Sequence, residues 1–314
     1  MISIGTVNID TSHPLGFCQY LEKGQRARFV GVYNDGFRGD DEVEAFVRNH
    51  GLRMRYSSIE EMADNVDIGF VQSVNWDDHL RQAMPFIERG KPVFIDKPTV
   101  GNIRDCRIVE DLASKGAVIL GSSSIRYAEE IASFVAAPED ERGKIVSIFA
   151  TVGVDEFNYG CHVAESIGGL AGPGAVSNRF VGRSEVDGKT CETYFVRFAS
   201  GITATYHSFL GTWQPFEIVI MTTKSTYQFR VDATKVYAAL LDRICDFMET
   251  GVRTLAPVEE LTESVKVMLA GRLSREAGGS EVRLADIPKD DPGFDGRAFA
   301  EGYAAAAAKM YLTN

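Results

Sequence analysis

The sequence predicts a doubly wound α/β domain followed by an α+β domain with an open, mostly antiparallel sheet. Two patterns carry this expectation. Over residues 1–121, short β-branched runs alternate with helical periodicity, as in a parallel sheet covered by helices on both faces. After Ser122, strand-like runs follow one another directly through short turns such as Ala199-Ser200-Gly201, which indicates antiparallel pairing. A chain of 314 residues is long enough for two cores. The division expected is 1–121 and 122–314.

Taken in order, the first half offers six strands, at residues 2–8, 28–34, 53–57, 67–74, 92–96 and 117–121. The third is the weakest. Between them Leu80, Ala83, Met84 and Ile87 recur at helical spacing, as do Cys106, Val109 and Ala113, so each crossover presents one apolar stripe. In the second half a helical stretch at 127–137 precedes strands at 145–154, 191–198, 202–209, 217–221 and 227–231. Val236, Ala239, Leu240, Ile244 and Phe247 then form one helical stripe, and Val258, Leu261, Val265 and Met268 another. The Ala-rich run 304–308 favours a packing helix at the end.

Composition narrows the function. Lys and Arg total 33 against 44 Asp and Glu, a net charge of −11 with no basic run, which argues against a nucleic-acid partner. No apolar run approaches the ~20 residues that cross a bilayer, and Met1-Ile2-Ser3-Ile4 lacks the basic start of a secretion signal, so a cytoplasmic protein with a small-molecule substrate is expected. The cysteines Cys18, Cys106, Cys161, Cys191 and Cys245 form no C-x-x-C pair and fit a reducing compartment.

Two segments could carry chemistry. Asp96-Lys97-Pro98 closes the fifth strand, and in open α/β sheets the ligand crevice lies outside the carboxyl ends of strands. Lys97, held extended by Pro98, stands there; the plainer alternative is a surface lysine paired with Asp96. Asn158-Tyr159-Gly160-Cys161-His162-Val163-Ala164-Glu165 sets Tyr159, His162 and Glu165 near one face of a helical turn. His162 is a natural proton carrier, although a histidine beside Val163 and Ala164 also reads as a packing residue. His162 and Glu165 find no third ligand at a supporting spacing, so no metal is expected. Tyr159, Tyr206 and Trp213 could stack on a sugar ring, although aromatics in a sheet domain more often fill a core.

These residues together resemble the Gfo/Idh/MocA family of sugar and cyclitol dehydrogenases. The resemblance runs from Val66-Asp67-Ile68-Gly69-Phe70-Val71 and His79 through Glu88 to Pro98, with Asp96 in place of the glutamate of the family's Glu-Lys-Pro. It continues through Ile125-Arg126-Tyr127, Tyr159-Gly160-Cys161-His162 and the helices from Ala238 to Leu284, nearly the whole chain. It implies a Rossmann domain binding NAD or NADP, a second domain packing against partner subunits as a homodimer or homotetramer, and a substrate between the two. Lys97 would hold and polarise the reacting hydroxyl, and His162 would remove its proton. Arg126, Asn158, Tyr159 and Glu165 would meet the substrate. Asn8, Asp10, Thr11, Ser12, His13, Asn34, Asp35, Ser73, Asn75, His79, Asp96 and Lys97 would line the dinucleotide.

Two positions depart from the family pattern. Its aspartate four residues before the histidine is Asn158 here, a loss for which Glu165 could compensate. A Rossmann fingerprint would place glycines where Asn8, Asp10 and His13 stand. Asn tolerates the first tight turn, but Asp10 adds bulk and negative charge where a pyrophosphate should approach. Asp10 could instead cap the following helix, as could Thr11 and Ser12. Asp35, at the end of the second strand, favours NAD by meeting the ribose 2′-hydroxyl, while Arg38 keeps NADP open and Asp35-Gly36 also reads as a plain turn. Two functions follow: an NAD(P)-dependent alcohol–ketone oxidoreductase acting on a sugar, cyclitol or related polyol, or a family-derived non-redox enzyme or ligand-binding protein in the same cleft.

Overall fold

A computed structural model describes the backbone of residues 1–312 and the side chains of residues 1–307. The first half alternates strands and helices: β1 (Ile2–Val7), α1 (Ser12–Glu22), β2 (Ala27–Tyr33), α2 (Asp40–Asn49), β3 (Met54–Arg55), α3 (Ile59–Asn65), β4 (Ile68–Val71), α4 (His79–Glu88), β5 (Val93–Ile95), α5 (Ile103–Ser114) and β6 (Ile119–Gly121). The strands form one parallel sheet in the order β3-β2-β1-β4-β5-β6. The order reverses between β1 and β4, and a crevice at such a switch point is where doubly wound sheets bind ligands. The third strand shrinks to two residues because it lies at the sheet edge, where both Met54 and Arg55 are exposed.

Glycines set how closely helices approach one face. Gly5 of β1 pairs with Gly31 of β2 and Gly69 of β4. A Cβ at these positions would lie 2.5 Å from Met62, 2.3 Å from Tyr56 and 2.4 Å from Phe86, respectively. The large side chains of the helical layer thus settle where the sheet has none. On the other face Phe17 of α1 packs edge-on to Phe70 and Phe94. That face is closed by Leu240, Leu241 and Ile244, which come from much later in the chain.

The second half begins with a 3-10 turn at Ser124–Tyr127, where Ser123 Oγ accepts from Ile125 N, so the helix expected from residue 127 starts at α6 (Glu129–Ala136). There follow α7 (Glu139–Arg142), β7 (Ile145–Val152), α8 (Gly160–Ala171), β8 (Ala175–Val186), β9 (Lys189–Phe198), β10 (Thr203–Leu210), β11 (Glu217–Thr222), β12 (Thr226–Arg230), α9 (Val236–Thr250), α10 (Val258–Glu276), β13 (Val282–Arg283) and α11 (Gly296–Leu312). The second sheet runs β12-β11-β7-β10-β9-β8-β13. It is antiparallel except for β7 and β10, which run parallel with α8, β8 and β9 between them in sequence. Strand β8 is an addition to the sequence expectation: beyond Phe180 it carries few apolar residues and runs into solvent.

The last segment returns to the first sheet. Trp76, in a 3-10 turn after β4, donates Nε1–H to the Phe294 carbonyl at 2.8 Å. Asp77 accepts from the N–H groups of Gly296 and Arg297 at 3.0 and 3.2 Å, fixing the start of α11.

Gly69→Ala tests the close approach of α4. The added methyl meets the Phe86 ring, and the substitution should cost about 1–3 kcal/mol in urea denaturation with the m-value unchanged.

Candidate functional site

At the switch point Asn8 adopts the left-handed conformation (φ 67°) that the first fingerprint glycine would otherwise supply. Its side chain joins three strand ends. Oδ1 accepts from Asp35 N at 2.8 Å and Gly36 N at 3.0 Å, while Nδ2 donates to Asp35 Oδ1 at 2.9 Å and Ser73 Oγ at 2.7 Å. Asp35 Oδ1 also accepts from Gln82 Nε2, and Oδ2 from Arg81 Nη2. Asn34 donates to the Arg38 carbonyl just outside this knot.

Asp10 does not cap α1. Thr11 does, accepting from His13 N at 3.2 Å, and Ser12 is the first residue of the helix. Asp10 reaches instead across the crevice, where Oδ2 accepts from Val74 N at 3.1 Å and Oδ1 is buried without a partner. Its carboxylate fills the space beside Gly36, at which a Cβ would come within 2.1 Å of Oδ1. Burial pushes the Asp10 carboxyl up to about 6, against the pull of the Val74 N–H and the Arg38 charge. Arg38 Nε and Nη2 donate to the Asp10 carbonyl.

A second cluster gathers beyond β5. The Lys97–Pro98 peptide is cis, and Lys97 Nζ donates to Asn158 Oδ1 at 2.8 Å. The Tyr159 ring has the Lys97 ammonium 5.8 Å from its centroid on one side and the His162 ring, edge-on, also at 5.8 Å. His162 is 6% exposed, and its Nδ1 lies 2.6 Å from Ser123 Oγ, which leaves Nε2 for a ligand. Burial, then the charges of Lys97 and His13, hold the imidazole well below its usual value, so it is neutral at pH 7. His13, at the third fingerprint position, places Nδ1 2.6 Å from Asp96 Oδ2. Burial raises the Asp96 carboxyl, but His13 and Lys97 outweigh it and hold it below the ordinary range.

Five of the expected residues have other partners. Arg126 pairs with Glu260 and donates to the Glu165 carbonyl, filling a gap beside Gly169. Glu165 is spent on Ser122 Oγ and Ser123 N, so it cannot stand in for the missing carboxylate. Asn75 caps the turn of Trp76, and His79 is buried between the Ser73 and Thr99 carbonyls, supporting the wall from behind. Tyr206 is a core residue stacked on Tyr194 at 4.9 Å, whereas Trp213 is exposed with its edge toward Tyr159.

Sequence reasoning missed several site residues. Asp155 lies three residues before Asn158, and its Oδ1 accepts from the N–H groups of Phe157 and Tyr159 while Oδ2 is buried without a partner. Burial raises its carboxyl, partly offset by the Tyr159 N–H and Lys97. Tyr237 packs edge-on to His13 at 5.4 Å. Ser123 carried a signal, since it stands in a run of three serines at the end of β6. Away from the site, Cys18, Glu22 and His50 place ligand-type atoms within 4.8 Å of one another, with the thiol and imidazole both satisfied by Glu22 Oε1.

Residues 4–124 match the model of the Gfo/Idh/MocA oxidoreductase family, described as an NAD-binding Rossmann fold. The match covers the first domain, and the second lies outside it. Among solved structures, the fold of this chain is shared by a probable dehydrogenase from Thermotoga maritima (TM-score 0.78, 14% identity, 91% of this chain and 100% of the other). It is shared by a myo-inositol dehydrogenase from Lactobacillus casei in complex with NAD(H) and myo-inositol (0.76, 12%, 90% and 96%). A scyllo-inositol dehydrogenase from Lactobacillus casei is similar too (0.77, 13%, 91% and 99%). No curated protein matches in sequence.

The residues present fit a dinucleotide. Asn8 makes the tight turn, the first amides of α1 lie beyond it, and Asp35 stands at the end of β2. The orphaned Asp10 Oδ1 suits a diphosphate only in its protonated form, when it becomes a donor.

The buried Asp10 also gives a stability test. Its folded pKa lies above the unfolded 3.8, so its contribution is complete below about pH 4 and is lost as pH rises through about 6. Asp10→Asn should therefore gain on the wild type between pH 4 and 8, by roughly 2–3 kcal/mol at the upper end, in urea denaturation at each pH. A difference that does not change with pH would place the carboxylate in water.

Proposed function

We propose that this protein is an NAD-linked oxidoreductase that interconverts an alcohol and a ketone on a sugar, cyclitol or related polyol. The observation that carries the reading is the convergence of Lys97, Asn158, Tyr159 and His162 at the carboxyl end of β5, beside the switch point of a Gfo/Idh/MocA domain. Structural relatives that are inositol dehydrogenases support the same substrate class.

The roles follow from the chemistry of each group. Asn158 Oδ1 aims the Lys97 ammonium, which binds the reacting oxygen and stabilises charge growing on it. His162, neutral and held by Ser123, takes the hydroxyl proton on Nε2. Bound NAD supplies the hydride acceptor. Asn8, Thr11, Ser12, Asp35 and Ser73 would hold it, with Asp35 meeting the ribose hydroxyls and repelling a 2′-phosphate, which favours NAD over NADP. A second reading, non-redox acid/base chemistry, is favoured by one observation: the His13–Asp96 pair stands where the fingerprint leaves space.

We also place the protein as a homo-oligomer in the cytoplasm. The outer face of the second sheet carries the half-buried Phe149, Phe195 and His207, an area that a second copy would cover. The five cysteines are free thiols, and no helix among the described residues is long and apolar enough to cross a membrane. Light scattering should give at least twice the monomer mass.

Fluorescence titration with NADH and NADPH tests the cofactor. NADH should bind more tightly than NADPH, and more tightly at pH 6 than at pH 8, because the diphosphate favours protonated Asp10. Absence of binding by either would leave the non-redox reading. In NAD reduction assays with myo-inositol and a panel of aldoses, Lys97→Met should lose at least ~10³-fold in kcat and His162→Asn about 10²- to 10⁴-fold, both remaining folded. A His162→Asn protein with normal turnover but a lowered Tm would make His162 a packing residue.

A further inference from the structure

The C-terminal helix lies across the crevice that a dinucleotide must enter. A chain of ring contacts runs along it from the β4 side to the β2 side. Trp76 packs on Phe299 at 4.9 Å, Phe299 on Tyr303 at 6.2 Å and Tyr303 on Phe37 at 6.0 Å. The Arg38 guanidinium lies 4.8 Å from the Phe37 ring and donates to the Asp10 carbonyl. Trp76 follows β4 and Phe37 follows β2, so these contacts span the opening between the strand ends. Beneath them Asn8 and Asp10 are each 2% exposed. The Tyr303 hydroxyl is raised by burial and lies near enough to Tyr159, Lys97, Arg38 and Asp10 for their charges to act on it. A dinucleotide running from Asp35 past Asp10 to Lys97 would cross the space that Tyr303 and Arg38 hold.

We propose that α11 is an autoinhibitory strap, which closes the dinucleotide crevice through Phe299 and Tyr303 and must lift before NAD can bind. This rests on the dinucleotide reading of the site. The strap is built for release. Among the described residues, it meets the first domain through the Phe299 and Tyr303 rings and the hydrogen bonds at its N-terminus, and although Ala307 is buried, Glu301, Gly302, Ala305 and Ala306 are exposed. Helix contacts of that extent open more readily than a core. Closure lowers apparent affinity by the fraction of molecules in which the crevice is open.

The test compares wild type with a Phe299→Ala/Tyr303→Ala variant, neither residue being part of the proton-transfer machinery. NADH binding is followed by fluorescence and hydrogen exchange of residues 297–307 by mass spectrometry. The variant should bind NADH at least ~10-fold more tightly, which corresponds to a strap closed in about nine of ten wild-type molecules. In the wild type, saturating NADH should speed exchange along α11. Equal NADH affinity of the two proteins, with α11 exchange unchanged by NADH, would overturn the strap and leave the dinucleotide site standing. If NADH binds to neither protein, the dinucleotide reading fails and the strap with it. Should the variant fold poorly, exchange in the wild type decides alone: acceleration of α11 by NADH supports the strap, and no change or added protection rejects it.

Discussion

Everything at the switch point is arranged around the side chain of Asn8. A parallel sheet ends in loops that have no reason to meet, and the backbone groups exposed there need partners. One amide supplies four hydrogen bonds, two to backbone N–H groups after β2 and two to Asp35 and Ser73. The left-handed turn that positions it is one asparagine adopts more readily than other side-chain-bearing residues. A glycine would have made the same turn and left the loops unconnected. The chain thus exchanges an open cradle for a cross-braced one, and the burial of Asp10, its raised pKa and the posture of Arg38 all follow from bracing the walls together.

The cluster of Lys97, Asn158, Tyr159 and His162 obeys a different rule. Lys97 and His162 are close enough for the ammonium to suppress protonation of the imidazole, and burial acts in the same direction. The result is a neutral imidazole beside a lysine, a pairing suited to the chemistry proposed above. Asp96 keeps the local balance near neutral, since it is ionised against its own desolvation by His13 and Lys97. His13 therefore belongs electrostatically to this cluster, although by sequence position it belongs to the phosphate loop.

The fold was legible from the sequence wherever periodicity reported on burial. The parallel strands and the stripes of α9 and α10 were found because their apolar residues face one core. The long β8 was not, because its outer half is solvated and carries no alternation. In the candidate site, the closeness of Lys97 and His162, both beside the Tyr159 ring, was legible from their motifs and from strand-end geometry. The partner of Arg126 was not legible, because a motif gives a residue's neighbours in sequence and not the acid, Glu260, that lies 134 positions away. Asp155 was missed because its importance comes from burial, which spacing cannot report. The Phe299 and Tyr303 contacts were not legible, because both residues precede the Ala-rich run 304–308 and nothing in their spacing reports the rings they touch.

One feature of the core bears on how the chain comes to be folded at all. The face of the first sheet beneath α1 is completed by Leu240, Leu241, Ile244 and Leu255, while the strands they cover lie within the first 121 residues. A nascent chain emerging from its N-terminus therefore exposes a greasy half-sheet, with Phe29, Phe70 and Phe94 partly uncovered, throughout the synthesis of β7 to β12. The interval is one in which chaperones have something to hold. It makes the two halves of this protein a single unit of biogenesis, sealed only when α9 arrives and folds back onto the first strands made.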